Sequence, residues 1–304
     1  MIASEMMRFR SRRLVKWMTV LFVLGLAFAG FLVFINSEAE GPGTVSTEAV
    51  ENSALYQDCI SNAEPQSGDS LEEFCFEIAQ QESFGQDKRF FFSGMNEIFI
   101  GVTVPIAMLA FFLGASFMGA EWQKGTMTTT LTWENRRWAV FGAKAVVVII
   151  GSLALFVVLQ ALLTLFLLPS ALFRGTTEGL DAEWWQDAGA TLARCAALTV
   201  VAGVLGMSVA SLGRNTAAAL GVGFGYIVVV ENLIRALKPQ WQQWLVTDNS
   251  AVFVTGDPSL FASASDGVSQ LSGHSANAAG LLVLGYALLM VALAYGFFRS
   301  RDVT

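Results

Sequence analysis

"FFLGASFMGAEWQKGTMTTTLTWENRRWAVFGAKAVVVII", Phe111 to Ile150, runs from an apolar segment through a charged stretch and back into an apolar segment. The polar middle is too short to be a domain, so it reads as a compact loop between two membrane-crossing helices. The rest of the chain repeats the pattern. Its 304 residues are 54% hydrophobic and 14% charged, with a mean hydropathy of +0.54. A soluble domain carries about a quarter charged residues. Crossing the hydrocarbon core takes about 20 apolar residues as helix, and six segments qualify: 17–35, 95–118, 138–168, 190–212, 216–233 and 277–298. The third is long enough to tilt or to emerge past the bilayer. The first follows a basic start, but its apolar core is longer than that of a signal peptide and no convincing small-residue cleavage site follows, so it reads as a retained anchor.

The expected fold is all-α and polytopic, with six transmembrane helices. A helical hairpin lies between spans one and two, and a re-entrant or interfacial segment between spans five and six. Lys and Arg placement sets the orientation. With the N-terminus inside, twelve basic residues fall inside: Arg8, Arg10, Arg12, Arg13, Lys16, Lys124, Arg136, Arg137, Lys144, Arg214, Arg299 and Arg301. Five fall outside: Lys88, Arg89, Arg174, Arg235 and Lys238. Both termini are therefore expected in the cytoplasm, with residues 299–304 a short tail. The expected location is the cell membrane, crossed several times.

Residues 1–16 place Ile2, Met6 and Phe9 on one helical face with arginines around the rest, the pattern of an amphipathic surface helix. A disordered basic flank that only sets topology is the alternative. Residues 36–94 form the large outer segment and hold 12 of the 25 acidic residues. Two short helices are expected there. Ser46 or Thr47 caps the first, and Ser70, Glu72 and Glu73 begin the second. Cys59 and Cys75 lie one in each helix. An oxidising outer face and a small core favour a disulfide between them, against two free thiols packed as small apolar residues. Cys195, within span four, reads as inert packing. The connection 169–189 is short. The segment 234–276 is too apolar for a free loop and too broken for a span, and Trp241, Trp244 and Leu245 suit a helix at or dipping into the interface. The Gly/Ser-rich part leading to span six reads as flexible.

Residues able to carry chemistry are few. No GxxxxGK[ST] occurs, and Lys124-Gly125-Thr126 has the wrong order and no preceding strand for a phosphate loop. His274 is the single histidine and reads as a solvated loop residue. No metal-ligand spacing and no nucleophile–histidine–acid set can be assembled, so the expectation is no catalytic residues, no metal, no cofactor bound by this chain and no enzyme. The charge of −7 is segregated by side and says nothing of nucleic acid, which is not an expected partner. Glu97, Arg194, Glu231 and Arg235 lie near the outer ends of spans, Glu231 and Arg235 as an i,i+4 pair. They read as snorkelling residues, or as a polar ring around an outer gate. An intramembrane enzyme would need polar residues facing one another at mid-depth, and none is recognised. Ala217, Gly221 and Gly225 repeat every four residues in span five, a small-residue pattern that suits close packing within the chain or a subunit interface. Span four carries Gly203, Gly206, Ser208 and Ser211. Pro105 removes one backbone bond from span two and permits a kink.

The loop 119–137 can run as a short helix from Glu121 to Thr132, broken or bent at Gly125. A loop that only sets topology needs no such elaboration. A docking element for a soluble partner does. Glu121, Gly125, Thr126, Leu131, Arg137 and Lys144 also resemble, in order and spacing, a segment of the ABC-2 type transporter permeases. The family often has a Pro-x-x-Arg turn where this chain reads Glu134-Asn135-Arg136-Arg137. The resemblance covers nearly the whole chain, through six spans, an inside N-terminus, a short helix before span one and a broken segment between spans five and six. The large acidic insertion resembles the enlarged outer loops of some members. The resemblance implies a permease subunit of an ATP-driven exporter, forming the pathway for an amphipathic or lipophilic substrate. It would pair with a second permease chain, identical or not, amid membrane lipid. Separate ATP-binding cassette subunits, holding ATP and Mg, would dock on the loop that contains Glu121, Gly125, Thr126, Leu131, Arg136 and Arg137, with Lys144 beyond it, and on the N-terminal helix. The rival reading is a non-transporting membrane sensor that binds something through its acidic outer hairpin.

Overall fold

A computed structural model gives the fold; it describes residues 2–38, 50–62, 72, 74–76, 78–79, 89–134, 136–177, 179–256 and 274–300. Among these, six helices are long and apolar enough to cross a membrane: Arg13–Asn36, Phe92–Gln123, Arg137–Arg174, Ala182–Gly213, Thr216–Leu237 and Ala276–Ser300. All six expected spans are helical, and each helix continues past its apolar run because polar ends carry it on. At residue 182, for example, the Asp181 side chain accepts from the Trp184 amide and caps a helix that starts well before the apolar run.

In chain order the elements are α1 (Ile2–Ser11), α2 (Arg13–Asn36), α3 (Ala54–Asn62), strand β1 (Phe90–Phe91), α4 (Met95–Gln123), α5 (Thr126–Trp133), α6 (Arg137–Arg174), strand β2 (Gly175–Thr176) and α7 (Ala182–Gly213). There follow α8 (Thr216–Gly225), a π-turn (Tyr226–Glu231), α9 (Asn232–Leu237), a 3-10 turn (Pro239–Trp244), α10 (Val246–Thr255) and α11 (Ala276–Ser300). The chain forms two compact units, one of residues 1–25, 94–163 and 180–304, the other of 26–93 and 164–179.

The larger unit is built on the pairing of α4 with α7. Their backbones nearly touch: a Cβ on Gly114 would run into the Gly203 carbonyl, and one on Gly206 into the Phe111 carbonyl. Without a hydrophobic drive between helices in lipid, such close approach supplies the packing energy. Helix α8 lies on α4 and α7, and Gly223 makes room for the Phe111 ring. Helix α11 packs on α7 and α10, and its end meets α4 and α6 through Phe298, Trp122 and Phe141. The expected small-residue contact within the chain therefore falls on Gly203 and Gly206. Gly221 and Gly225 have nothing within 4 Å. Spans one and five are the least enclosed of the six, and Val222, Val228 and Val229 of span five are all about 60% exposed.

In the smaller unit, β1 pairs in parallel with β2, Phe90 opposite Gly175 and Phe91 opposite Thr176. Arg174 donates to the Phe34 and Ser37 carbonyls at 3.0 Å each and lies over the Phe34 ring. It thereby satisfies carbonyls that the end of α2 leaves open. A disulfide joins Cys59 to Cys75, as the outer-face reading expects. Cys75 and Ala79 are fully enclosed, with Val50. Val50 and Glu51 are also helical, the helix breaks at Asn52 and Ser53, and α3 resumes at Ala54 with Ser53 accepting from the Tyr56 amide. The caps at Ser46, Thr47 and Ser70, the connection 63–71, the lead-in 257–273 and the tail from 301 lie outside the described residues.

Candidate functional site

Four charged side chains meet where α1, α4 and α6 come together. The Lys144 ammonium donates to Glu121 Oε2 at 2.6 Å and to Glu5 Oε2 at 2.8 Å. Arg12 reaches the same cluster from the break between α1 and α2. It donates to Glu121 Oε1 at 3.2 Å and to the Ser116 and Phe117 carbonyls at 2.8 and 3.1 Å. Lys144 is 0% exposed, Glu5 3% and Glu121 5%. Two cations thus face two carboxylates inside the protein, and Arg8 adds a contact to Glu5 from the exposed side at 3.2 Å.

Helical spacing explains the assembly. Glu5 and Phe9 share a face of α1, and Phe117 and Glu121 share a face of α4, each pair four residues apart. Lys144 and Gly151 lie seven apart on α6. Phe9 packs edge-on against Phe117 with centroids 5.3 Å apart and lies where Gly151 has no side chain. The Phe117 ring also receives Lys144 Nζ at 4.9 Å and the Arg12 guanidinium at 5.0 Å. Burial draws the Arg12 guanidinium below its ordinary value, while Glu121 and Glu5 pull it back up. A buried ion pair rarely adds net stability over an apolar replacement, but removing one partner strands the other at a cost of about 3–5 kcal/mol. The cluster therefore specifies where α1 sits more than it strengthens the fold.

From Glu121 the chain leads directly to α5. Gly125 takes φ +67°, the left-handed region, with open space around it. Glycine is needed there for the backbone and not for room. Beyond the break, the Thr126 hydroxyl donates to the Glu121 carbonyl at 3.4 Å. Thr128, Thr130 and Thr132 hydroxyls bond back to carbonyls one turn earlier, as threonines within a helix do. Met127 is buried, Leu131 half-buried and Trp133 89% exposed. Past α5, Arg136 donates to Glu134 from its amide and side chain, which holds the Glu134 carboxyl below its ordinary value. Arg137 faces elsewhere. It donates to the Phe298 and Arg299 carbonyls at 3.3 and 2.9 Å and so caps the end of α11.

The expected outer residues divide. Glu231 and Arg235 pair at 3.2 Å, and Asp248 and Thr247 of the α10 start join them. Arg194 lies instead against Gly256, at the end of α10. Glu97 is exposed in the first turn of α4, and no hydrogen bond or ion pair among the described residues joins it to the others.

Sequence reasoning missed Glu5 and the inward turn of Arg12. A signal existed: Glu5 is the only acid in the first 37 residues, within an otherwise basic stretch. It also missed a buried polar contact within spans two and three. Gln160 donates to Thr103 Oγ1 at 3.3 Å and to the Phe99 carbonyl at 3.2 Å, just before Pro105. A single Gln and a single Thr in apolar runs carry no pattern that pairs them.

The sequence profile of a family described as "Protein of unknown function (DUF2705)" matches residues 59–304. The chain belongs to this family. The matched span contains Glu121 and Lys144 and begins after Glu5 and Arg12. No curated protein matches the chain.

Proposed function

We propose that this chain is the permease subunit of an ABC-2 type exporter, held in the cell membrane with both termini in the cytoplasm. The observation that carries the reading is the joint at Glu121. One carboxylate sits at the end of a membrane-length helix, holds the N-terminal helix through Arg12, holds α6 through Lys144, and adjoins a separate surface helix set off by Gly125. A soluble subunit that pushes on α5 acts through that joint on two membrane helices, α4 and α6, and on the N-terminal helix at once. Two states of the partner then favour two arrangements of the spans, which is what coupling requires.

In this reading the ATP-binding subunits are separate proteins, and a second permease chain completes the pathway. The substrate is amphipathic or lipophilic, in keeping with the apolar faces that the spans present. The broken segment 239–255 lies at or in the outer interface, and the disulfide-stapled segment between spans one and two faces outside. The test is mild purification of the chain from native membranes and identification of whatever accompanies it in stoichiometric amount. A protein with a Walker sequence and vanadate-sensitive ATPase activity supports the reading. Recovery of the chain alone, or with an outer-surface protein only, moves the sensor reading ahead.

A further inference from the structure

The second polar cluster joins two features that are otherwise unrelated. One is the π-turn 226–231, which interrupts span five. The other is the start of α10, whose preceding residue is Leu245, with no side-chain oxygen to cap it. A π-turn closes its bonds one residue further along than an α-helix and leaves a carbonyl without its usual amide. The Asn232 side chain donates to carbonyls of this turn, to that of Val228 at 2.9 Å and to that of Ile227 at 3.4 Å. Its Oδ1 accepts from Arg235 Nη1 at 3.3 Å. Arg235 then donates to Asp248 at 2.9 and 3.2 Å, to Thr247 Oγ1 at 2.6 Å and to Glu231 at 3.2 Å.

Glu231 closes the circuit. Its Oε1 accepts from the Val246 and Thr247 amides at 3.1 and 3.2 Å, and the Thr247 hydroxyl donates to its other oxygen. Two of the open amides of α10 are therefore capped from a different helix. Glu231 is 0% exposed, while Ile227 to Val230 are 41–61% exposed. In this register the glutamate alone in that run points inward. An α-helix turns about 100° per residue. If the extra residue were absorbed, Glu231 would swing by about that angle relative to α10 and leave its amides.

We propose that the π-turn is a register switch: in the π form Glu231 docks α10 with the 3-10 turn before it, and in the α form it releases them. Asn232 favours the docked form by donating to carbonyls of the π-turn. This does not rest on the transporter reading, and its test needs no substrate or ATPase.

The experiment is hydrogen exchange on the full chain in lipid nanodiscs, with the 276–300 segment as the control for intact folding. Asn232→Leu is expected to speed exchange across 246–255 about tenfold, the scale of a lost helix cap, and to change protection across 226–232 together with it. Deleting Val229 removes the extra residue and with it the second register. In that background Asn232→Leu is expected to leave 246–255 protected. The switch is overturned if Asn232→Leu leaves 246–255 as in the parent. It is equally overturned if Asn232→Leu releases 246–255 to the same extent in both backgrounds, because the effect then runs through Arg235 alone. Should the deletion not fold, release of 246–255 with unchanged protection across 226–232 overturns the switch by itself.

Discussion

Lys144 and Glu231 are the two charges with no exposed surface among the described residues. Lys144 is shared by two carboxylates from different helices. Lys144→Met leaves Glu5 and Glu121 facing a single inward cation, Arg12, and a loss of about 3–5 kcal/mol is expected, read as a lowered melting midpoint in nanodiscs. Restoring balance with Lys144→Met in a Glu5→Gln background is expected to recover much of the loss, since Arg12 still pairs with Glu121 and the cluster is again neutral. Equal instability of the single and double variants would contradict the pairing. At this scale the sequence was legible in part. Glu121, Gly125 and Lys144 stand out by their spacing, because each interrupts or borders an apolar run. Glu5 and Arg12 do not, because a basic N-terminal flank looks the same whether its residues face water or turn inward. Arg137 shows the limit from the other side: its position resembles a docking residue, yet its side chain caps α11.

At the level of elements, apolar length made the six spans legible, and the loop helix with its break at Gly125 followed from a proline-free stretch holding one glycine. Packing partners were less legible. Small residues occur in both span four and span five, and spacing does not say which of them another helix approaches. The structure gives the close approach to Gly114, Gly203 and Gly206. Gly206→Val is expected to cut the yield of folded protein strongly, because the Phe111 backbone cannot move aside within a packed pair. Gly221→Val, in open space, is expected to leave the melting midpoint of the isolated chain within about 0.5 kcal/mol of the parent in stability. If both variants fold alike, the α4–α7 contact is not the spine of the larger unit. The π-turn was illegible for a physical reason: its six residues read as an ordinary apolar span, and only Asn232 and Glu231 near the end hint that the register changes.

For the whole molecule, a buried ion cluster adjoins a surface helix, and the partner proposed for that helix is a soluble, ATP-hydrolysing protein. Charge placement along the sequence sets the expected orientation, and α5 then lies in the cytoplasm. Trp133 is the natural probe. It is 89% exposed, and exposed aromatic residues often anchor protein interfaces. The most direct measurement is to replace Trp133 with a photo-crosslinking aromatic amino acid in the full chain, irradiate native membranes, and identify the adduct. The expected result is a single major adduct to a protein with a Walker sequence, lost when α5 is unseated by Gly125→Pro. Adducts to lipid alone, or to a protein that binds no nucleotide, would contradict it.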